Sequence, residues 1–316
     1  MEKITSWKDH APNLKGCVVT IGNFDGFHKG HQTLLKHVVK KAKEEGLRAA
    51  LLSFSPHPRQ FFQVNQDPFH LISPEHADRL LNTFEIDQYY KLEFDKAFSK
   101  LSAIEFIELI LIKTLNVKYI FVGSDFRFGN NREGDIHLLK EYGLKKGFEV
   151  ETIEPIRDEH NYVISSTSIR EALHEGDLDR ANHLLDWPKD LLWEIEGKVI
   201  HGDKRGREIG YPTANMKTGD YLYPKYGVYA VRVALNDDSM TPIWCHGVAN
   251  FGIRPMFEVP TPLLETYIFD FDEEIYDQNM RVQFVSYLRG EKNFSDIETL
   301  IKQIDQDCLD AKECLN

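Results

Sequence analysis

The sequence predicts an α/β protein, with an N-terminal doubly wound parallel sheet followed by a small antiparallel β-barrel and a C-terminal helix. Three observations predict it. Strand-like and helix-like runs alternate through the first half. After Asp186-Trp187-Pro188-Lys189-Asp190 the chain switches to apolar runs punctuated by glycine and proline. It ends on one amphipathic segment. At 316 residues it is long enough for two separate cores, expected over 1–186 and 187–316.

The first half begins with an apolar run at Cys17–Ile21, which reads as a buried strand. Leu34, Leu35, Val38, Val39 and Ala42 then share one helical face. Further strands are expected at Arg48–Phe54, Gln88–Phe94, Val117–Gly123 and Glu149–Ile153. Ser73-Pro74 starts a helix, with Ser as N-cap and Pro at the first position. Ser102 and Glu105 make a capping-box pattern, and Asp135 caps another helix. Thr167–His174 and Asp177–Leu185 are short helices closing this half. In the second half, strands are expected at Trp193–His201, Val228–Leu235, Ile243–Val248, Leu263–Phe271 and Met280–Leu288. The last helix starts with a capping box at Ser295 and Glu298. Its stripe of Ile297, Leu300, Ile301, Ile304 and Ala311 is expected to pack on the barrel.

A formal net charge of −12 disfavours bulk binding to nucleic acid or an anionic membrane, while leaving room for a small anionic ligand. Met1–Lys15 has no apolar signal core, and no run is long enough to span a bilayer. Cys17, Cys245, Cys308 and Cys314 show no CxxC spacing, so a reduced, cytoplasmic protein is expected.

The most informative stretch is Gly22-Asn23-Phe24-Asp25-Gly26-Phe27-His28-Lys29-Gly30-His31, at a strand-to-helix turn. Glycines admit a ligand to the backbone, the helix start offers N–H groups to phosphate, and two imidazoles can donate to phosphate oxygens. Two plainer readings exist. Asn-Phe-Asp-Gly is also a turn sequence. The i, i+3 histidines also suit a metal site, which needs further ligands where only Asp25 is near. Because the strands are parallel, His57 after the second and Asp125 to Arg132 after a later one open on the same sheet edge as His28 and His31.

The stretch resembles the HxGH signature of the nucleotidyltransferase superfamily, and in its longer form the bacterial FAD synthetases. Ser53-Phe54-Ser55-Pro56-His57-Pro58 resembles that family's F-D-P-H-P loop. Val122–Gly129 with Arg132, Gly134 and Asp135 resembles V-G-x-D-F-R-F-G-x-x-R-x-G-D. Ile164–Arg170 resembles I-S-S-T-x-x-R. The resemblance implies transfer of AMP from ATP to FMN, giving FAD and pyrophosphate. Gly22, Phe24, Gly30, His28 and His31 would serve the triphosphate, and Ser166, Thr167 and Arg170 the departing phosphates. His57, Asp125, Phe126 and Arg127 would serve the flavin side. Ser55 departs from the usual Asp, and Ser168 from a frequent Arg.

In the second half, Gly197–Gly202 leads into Arg205-Gly206-Arg207-Glu208-Ile209-Gly210-Tyr211-Pro212-Thr213-Ala214-Asn215, which resembles the riboflavin kinase motif G-R-x-x-G-x-P-T-A-N. Gly-rich backbone can wrap phosphates, while Thr213 and Asn215 offer oxygens to magnesium. It lacks the G-K-[ST] ending of a P-loop, and a Gly/Pro turn explains its glycines but not its ordered P-T-A-N. Tyr226–Ala230, Gly247–Pro255, Leu264–Phe271 and Arg289–Phe294 resemble further segments of that family, with Tyr267 at a usual His. The resemblance runs from about Val18 to Ala311. It implies phosphorylation of riboflavin by ATP, with Glu265 as general base. Gly202, Arg207, Gly210, Thr213 and Asn215 would bind ATP, and Asn250 and Arg289 the flavin. The implied cofactor is Mg2+, and riboflavin, FMN, FAD and ATP are substrates or products. A paralogue with one activity and a catalytically silent flavin-binding regulator are the other readings. Oligomeric state is not legible.

Overall fold

The structure is a computed structural model that describes residues 1–8, 15–63, 67–188, 191–202, 205–253 and 262–316. It forms two compact units. The first holds Met1–Gln66 and Leu80–Ile164, and the second Asp67–Arg79 and Ser165–Asn316.

In the first unit six strands make one parallel sheet: β1 (Glu2–Ile4), β2 (Cys17–Ile21), β3 (Arg48–Ser55), β4 (Gln88–Glu93), β5 (Val117–Gly123) and β6 (Glu149–Ile153). Their order is β1-β4-β3-β2-β5-β6. The five expected strands are present, and β1 is added at the edge. It lies in the polar opening segment and carries one buried residue, Ile4, too little for a periodic signal. Every residue of β2 is buried, as a central parallel strand requires. Helix α1 (Lys29–Glu45) follows β2 and ends at Gly46 in the left-handed conformation. α2 (Pro58–Phe62) follows β3, and α3 (Pro74–Leu81), next in the chain, lies in the second unit as far as Arg79. α4 (Ala103–Glu105) starts with the expected Ser102–Glu105 capping box and runs on as a π-helix over Phe106–Thr114, burying Phe106, Ile107, Ile110 and Leu111 in the core. α5 (Ile136–Lys146) is capped by Asp135.

The chain steps from β2 to β3 and β4 on one side, and from β5 to β6 on the other. The crevice between β2 and β5 is therefore the topological switch point, where open α/β sheets bind ligands.

In the second unit α6 (Ser166–Glu175) and α7 (Leu178–Leu185) precede the barrel. Leu173 O accepts the Lys225 N–H at 3.0 Å, and Asn182 Oδ1 accepts the Trp193 N–H at 2.7 Å. These bonds tie both helices to the barrel, so the contact division falls at 164/165, whereas the linker pattern placed a boundary at 186/187. Lys189-Asp190 of that pattern and Arg254-Pro255 of the second-half motif lie outside the described residues.

The barrel comprises β7 (Glu194–Ile200), β8 (Ala214–Lys217), β9 (Gly227–Leu235), β10 (Cys245–Ile253), β11 (Pro262–Ile268) and β12 (Asn279–Arg289), closed in the order β10-β11-β8-β7-β12-β9. All its pairings are antiparallel. β8 is not among the expected strands, because Gly210 and Pro212 mask the four-residue strand behind them. β10 starts two residues later than expected and runs on to Ile253, and β11 stops at Ile268. The short helix α8 (Arg205–Glu208) lies between β7 and β8. Trp193, Tyr229 and Phe284 fill the interior, with Phe284 at 4.9 Å from both other rings.

Helix α9 (Ile297–Leu315) is capped by Asp296, whose carboxylate accepts the Thr299 N–H at 2.8 Å. The expected Ser295 cap is displaced by one residue, and the Ser295 hydroxyl instead donates to Asp296. Ala311 and Leu315 pack on Val228, Ala230 and Val248, while Ile297 is exposed. Only the C-terminal part of the expected stripe is therefore core.

On another face of the barrel, residues 67–79 bring His76 and Arg79 against Glu194 and Glu196 of β7 and Arg281 of β12. Arg281 clasps Glu194 at 3.0 and 3.1 Å and donates to the carbonyls of Asp237 and Ser239. Burial works against ionised Glu194, but Arg281 and Arg79 outweigh it and hold its pKa below the ordinary value. Glu194→Ala should cost about 3–5 kcal/mol in chemical denaturation, because it strands a buried guanidinium.

His76 is fully buried, and burial pulls its pKa down to about 4; Arg79 and Arg281 add to this, and Glu194 and Glu196 oppose it. In the unfolded chain it titrates near 6.5, so between those values the unfolded state binds the extra proton. Its contribution is present above pH 6.5 and is lost as pH falls toward 4. His76→Gln should flatten the pH dependence of the unfolding midpoint in that window. An unchanged slope would contradict the assignment.

Candidate active sites

The first candidate site is built on the carboxyl edge of the parallel sheet. His28 caps α1, its Nδ1 accepting the His31 N–H at 3.4 Å. The two imidazoles stack at 3.7 Å with planes 22° apart, and Phe24 lies under His31 at 4.6 Å. Phe24 itself is buried with φ 54°, so only its backbone can meet a phosphate. Gly30 leaves room for the His28 ring. A Cβ there would sit 3.1 Å from the His28 ring, tighter than ordinary contact.

Two neighbouring strands add to this edge. After β3, His57 caps α2, its Nδ1 accepting the Arg59 N–H at 3.0 Å. Phe61 packs on Phe94 at 5.4 Å, and Phe62 beside it is largely exposed. These rings were not among the sequence candidates, although a Phe-Phe pair after the His-Pro step was there to be read. After β5, Asp125 is exposed and Phe126 stacks on Phe128 at 5.5 Å. Arg127 faces Asp135 at 3.4 Å, so it braces its own loop. The backbone N–H of Leu138, with Arg127 beside it, holds the Asp135 carboxyl below its usual range. Since β3, β2 and β5 are adjacent, the sheet brings His57, the histidine pair and Asp125 to one edge.

Ser166, Thr167 and Arg170 open α6 in the second unit. Ser165 and Ser168 form a capping box, the Ser165 N–H donating to Ser168 Oγ at 3.0 Å. Ser168 thus has a capping role at the position where an Arg is frequent. Arg170 Nε donates to the Phe69 carbonyl at 2.9 Å.

The second candidate site is a cavity of about 800 Å³ between the barrel wall and α9. Its wall is one row of the antiparallel ladder. Arg289 lies opposite Val228, Val228 opposite Asn250, Asn250 opposite Glu265, and Glu265 opposite Asn215. Directly paired residues project from the same face of a sheet. Five strands therefore present these five side chains to one cavity, and all five line it. Asn215 donates its amide to the Thr213 carbonyl at 3.2 Å, which orients its oxygen. A Cβ at Gly202 would lie 2.4 Å from Asn215 Nδ2 and would displace that amide. Gly210, with φ 89°, carries the turn into Tyr211.

Arg289 is committed within the wall. It donates to Asp307 of α9 at 2.7 and 2.6 Å and to the Gly290 carbonyl at 2.8 Å. Asp307 is buried and was missed, because nothing local marks a helix carboxylate whose partner is eighteen residues away. Arg207 reaches Glu274 at 3.6 Å across an exposed surface, a weak pairing that leaves it easily redirected. Tyr211 and Tyr267 meet edge-on at 5.3 Å beside the cavity. Among the described residues no group of three or more His, Cys, Asp or Glu could hold a metal ion, so the histidine pair has no ligand set of its own.

Comparison with known proteins agrees with this division. Residues 10–168 match the family described as FAD synthetase, and residues 190–315 the family described as riboflavin kinase. The chain is 39% identical to the bifunctional riboflavin kinase/FMN adenylyltransferase of Haemophilus influenzae, across 96% of each protein. It is 37% identical to the Escherichia coli K12 protein of that description, across 95% of this chain and 93% of that one. The chain belongs to this bifunctional family. A crystal structure described as a macrolide-efflux protein from Streptococcus pneumoniae has the same fold at TM-score 0.81, with 32% identity and 96% coverage of both chains. Among the described residues no helix of this family member is long and apolar enough to cross a membrane.

The Tyr211 hydroxyl donates to Asp305 of α9, joining the motif turn to the helix beyond the cavity. That bond, with burial, pushes the phenol up to about 12. Asp305→Asn should return one tyrosine toward the ordinary value near 10 in an alkaline absorbance titration. Superimposable titrations of variant and parent would contradict the bond.

Proposed function

We propose that the barrel phosphorylates riboflavin with ATP, giving FMN and ADP, and that the α/β half adenylylates FMN with a second ATP, giving FAD and pyrophosphate. The observation that carries this reading is the ladder row that presents Asn215, Glu265 and Asn250 together in a cavity large enough for a flavin. Family membership supplies both reaction classes. In this reading the functional domains run 1–186 and 187–316.

In the barrel, Glu265 accepts the proton of the ribityl 5′-hydroxyl as that oxygen bonds to the γ-phosphorus and the bond to ADP breaks. Glycine backbone at 202 and 210, with Arg207, cradles the nucleotide phosphates, and Asn250 meets the flavin. Arg289, locked by Asp307, shapes the flavin wall. Thr213 and Asn215 offer the neutral oxygens that suit Mg2+ beside phosphate, and the oriented Asn215 amide fits that role. Mg2+ supplies charge neutralisation at the phosphates when bound.

At the sheet edge an FMN phosphate oxygen attacks the α-phosphorus of ATP, and pyrophosphate leaves. His28 and His31 donate to the phosphate oxygens as charge builds, with the backbone at Gly22, Phe24 and Gly30 beside them. Ser166, Thr167 and Arg170 hold the departing pyrophosphate. His57, Asp125 and Phe126 serve the flavin side, where exposed Phe62 adds an apolar surface for the ring. Neither step needs a covalent nucleophile, so positioning and electrostatics carry the rate. The cytoplasm is the proposed location. There ATP is at hand and the thiols of Cys17, Cys245, Cys308 and Cys314, all unpaired, stay reduced.

Glu265→Ala should lower FMN formation from riboflavin by about 10²–10⁴-fold while FAD formation from supplied FMN stays within about twofold. His28→Ala or His31→Ala should do the reverse. Parallel loss of both activities in either variant would contradict two separate sites.

A further inference from the structure

Residues 67–79 fall between β3 and β4 of the parallel sheet in sequence but belong to the second unit. They form a strap with several anchors there. His70 pairs with Tyr221 as a parallel bridge, its N–H donating to Asp220 O at 3.2 Å and its carbonyl accepting the Leu222 N–H at 2.8 Å. Trp193 Nε1 donates to the Leu71 carbonyl at 2.9 Å. Ser73 donates to Glu196, and Arg79 joins the buried charges of Glu194 and Glu196.

Phe69 stands within this strap and is buried. Its ring stacks on His70 at 4.5 Å. It touches Arg170 in two ways. Its carbonyl accepts Arg170 Nε at 2.9 Å, and its ring lies 5.4 Å from the guanidinium carbon. A hydrogen bond at Nε together with an aromatic face fixes both the position and the plane of a guanidinium. An arginine on an open helix face must otherwise lose that freedom when it grips a phosphate.

We propose that Phe69 is the positioning residue for Arg170 in adenylyl transfer. It orients the guanidinium before pyrophosphate begins to leave, so ordering is not required in the transition state. Nothing in the motif that carries Arg170 points to Phe69, which lies 101 residues earlier. The proposal rests on the reading of Arg170 as a phosphate ligand.

The test compares Phe69→Leu, Phe69→Tyr, Arg170→Ala and the Phe69→Leu/Arg170→Ala double variant in the full chain. Riboflavin phosphorylation and FMN adenylylation are assayed separately, alongside thermal unfolding. Leucine keeps an apolar side chain of similar bulk but removes the π face. Expected is a fall in adenylylation kcat of about tenfold for Phe69→Leu with kinase activity and melting temperature held, and near-parental rates for Phe69→Tyr. The double variant should be no slower than Arg170→Ala, since two residues acting through one group are not additive. A slow Arg170→Ala beside an unaffected Phe69→Leu would overturn the positioning role alone. An unaffected Arg170→Ala would overturn the phosphate reading, and the inference with it. Loss of both activities with early melting in Phe69→Leu and Phe69→Tyr alike would reduce Phe69 to packing and overturn the proposal.

Discussion

The strand register of the barrel is the constraint on which its cavity wall depends. Side chains alternate across a strand, so a slip of one residue in β8, β10 or β11 would turn Asn215, Asn250 or Glu265 away from the cavity. Two features hold the register. Closure removes free edges, so no strand can slide without breaking two ladders. The buried clasp of Arg281 on Glu194 then ties β12 to β7 across a single geometry, with Gln283 reaching the same carboxylate at 3.3 Å. A buried ion pair contributes little net stability against an apolar substitute, but it penalises every alternative pairing that would separate the charges.

The parallel sheet solves a different problem. Its helix starts and strand ends converge on one edge, which gathers backbone N–H groups and imidazoles of the kind that suit phosphate. The stacked His28 and His31 rings sit at the switch between β2 and β5, with their spacing set by the first turn of α1 and by the bare Cα of Gly30. The barrel cavity is instead lined by side chains from a ladder row and a helix laid over it. The two chemistries are matched to these frames. Breaking the α–β phosphate linkage needs donors for a pyrophosphate leaving group, and activating a hydroxyl needs a placed carboxylate.

Much of this was legible in the sequence. Apolar runs such as Cys17–Ile21, buried throughout, and Ile120–Val122 within β5 announce themselves without partners. The paired histidines and the P-T-A-N segment lie within short local motifs, so their placement needed no knowledge of the fold. What escaped was set by distance or by brevity. β1 and β8 have three and four residues, too few for a period. Asp307, Phe69 and the charges around Glu194 act through residues far away in sequence, and a carboxylate or phenylalanine on a helix or strap carries no mark of its partner. The last helix misled for a physical reason. Its apolar stripe is continuous, yet one end is core and the other lines a cavity that only the closed barrel creates.

The central claim is that one chain carries riboflavin through to FAD by two successive transfers. The most direct measurement is a chromatographic time course of the purified protein with riboflavin, ATP and magnesium. The account predicts that FMN appears first and that FAD then grows at its expense, with ADP and pyrophosphate as the respective by-products. Unchanged riboflavin, or FMN that accumulates without conversion to FAD, would contradict it.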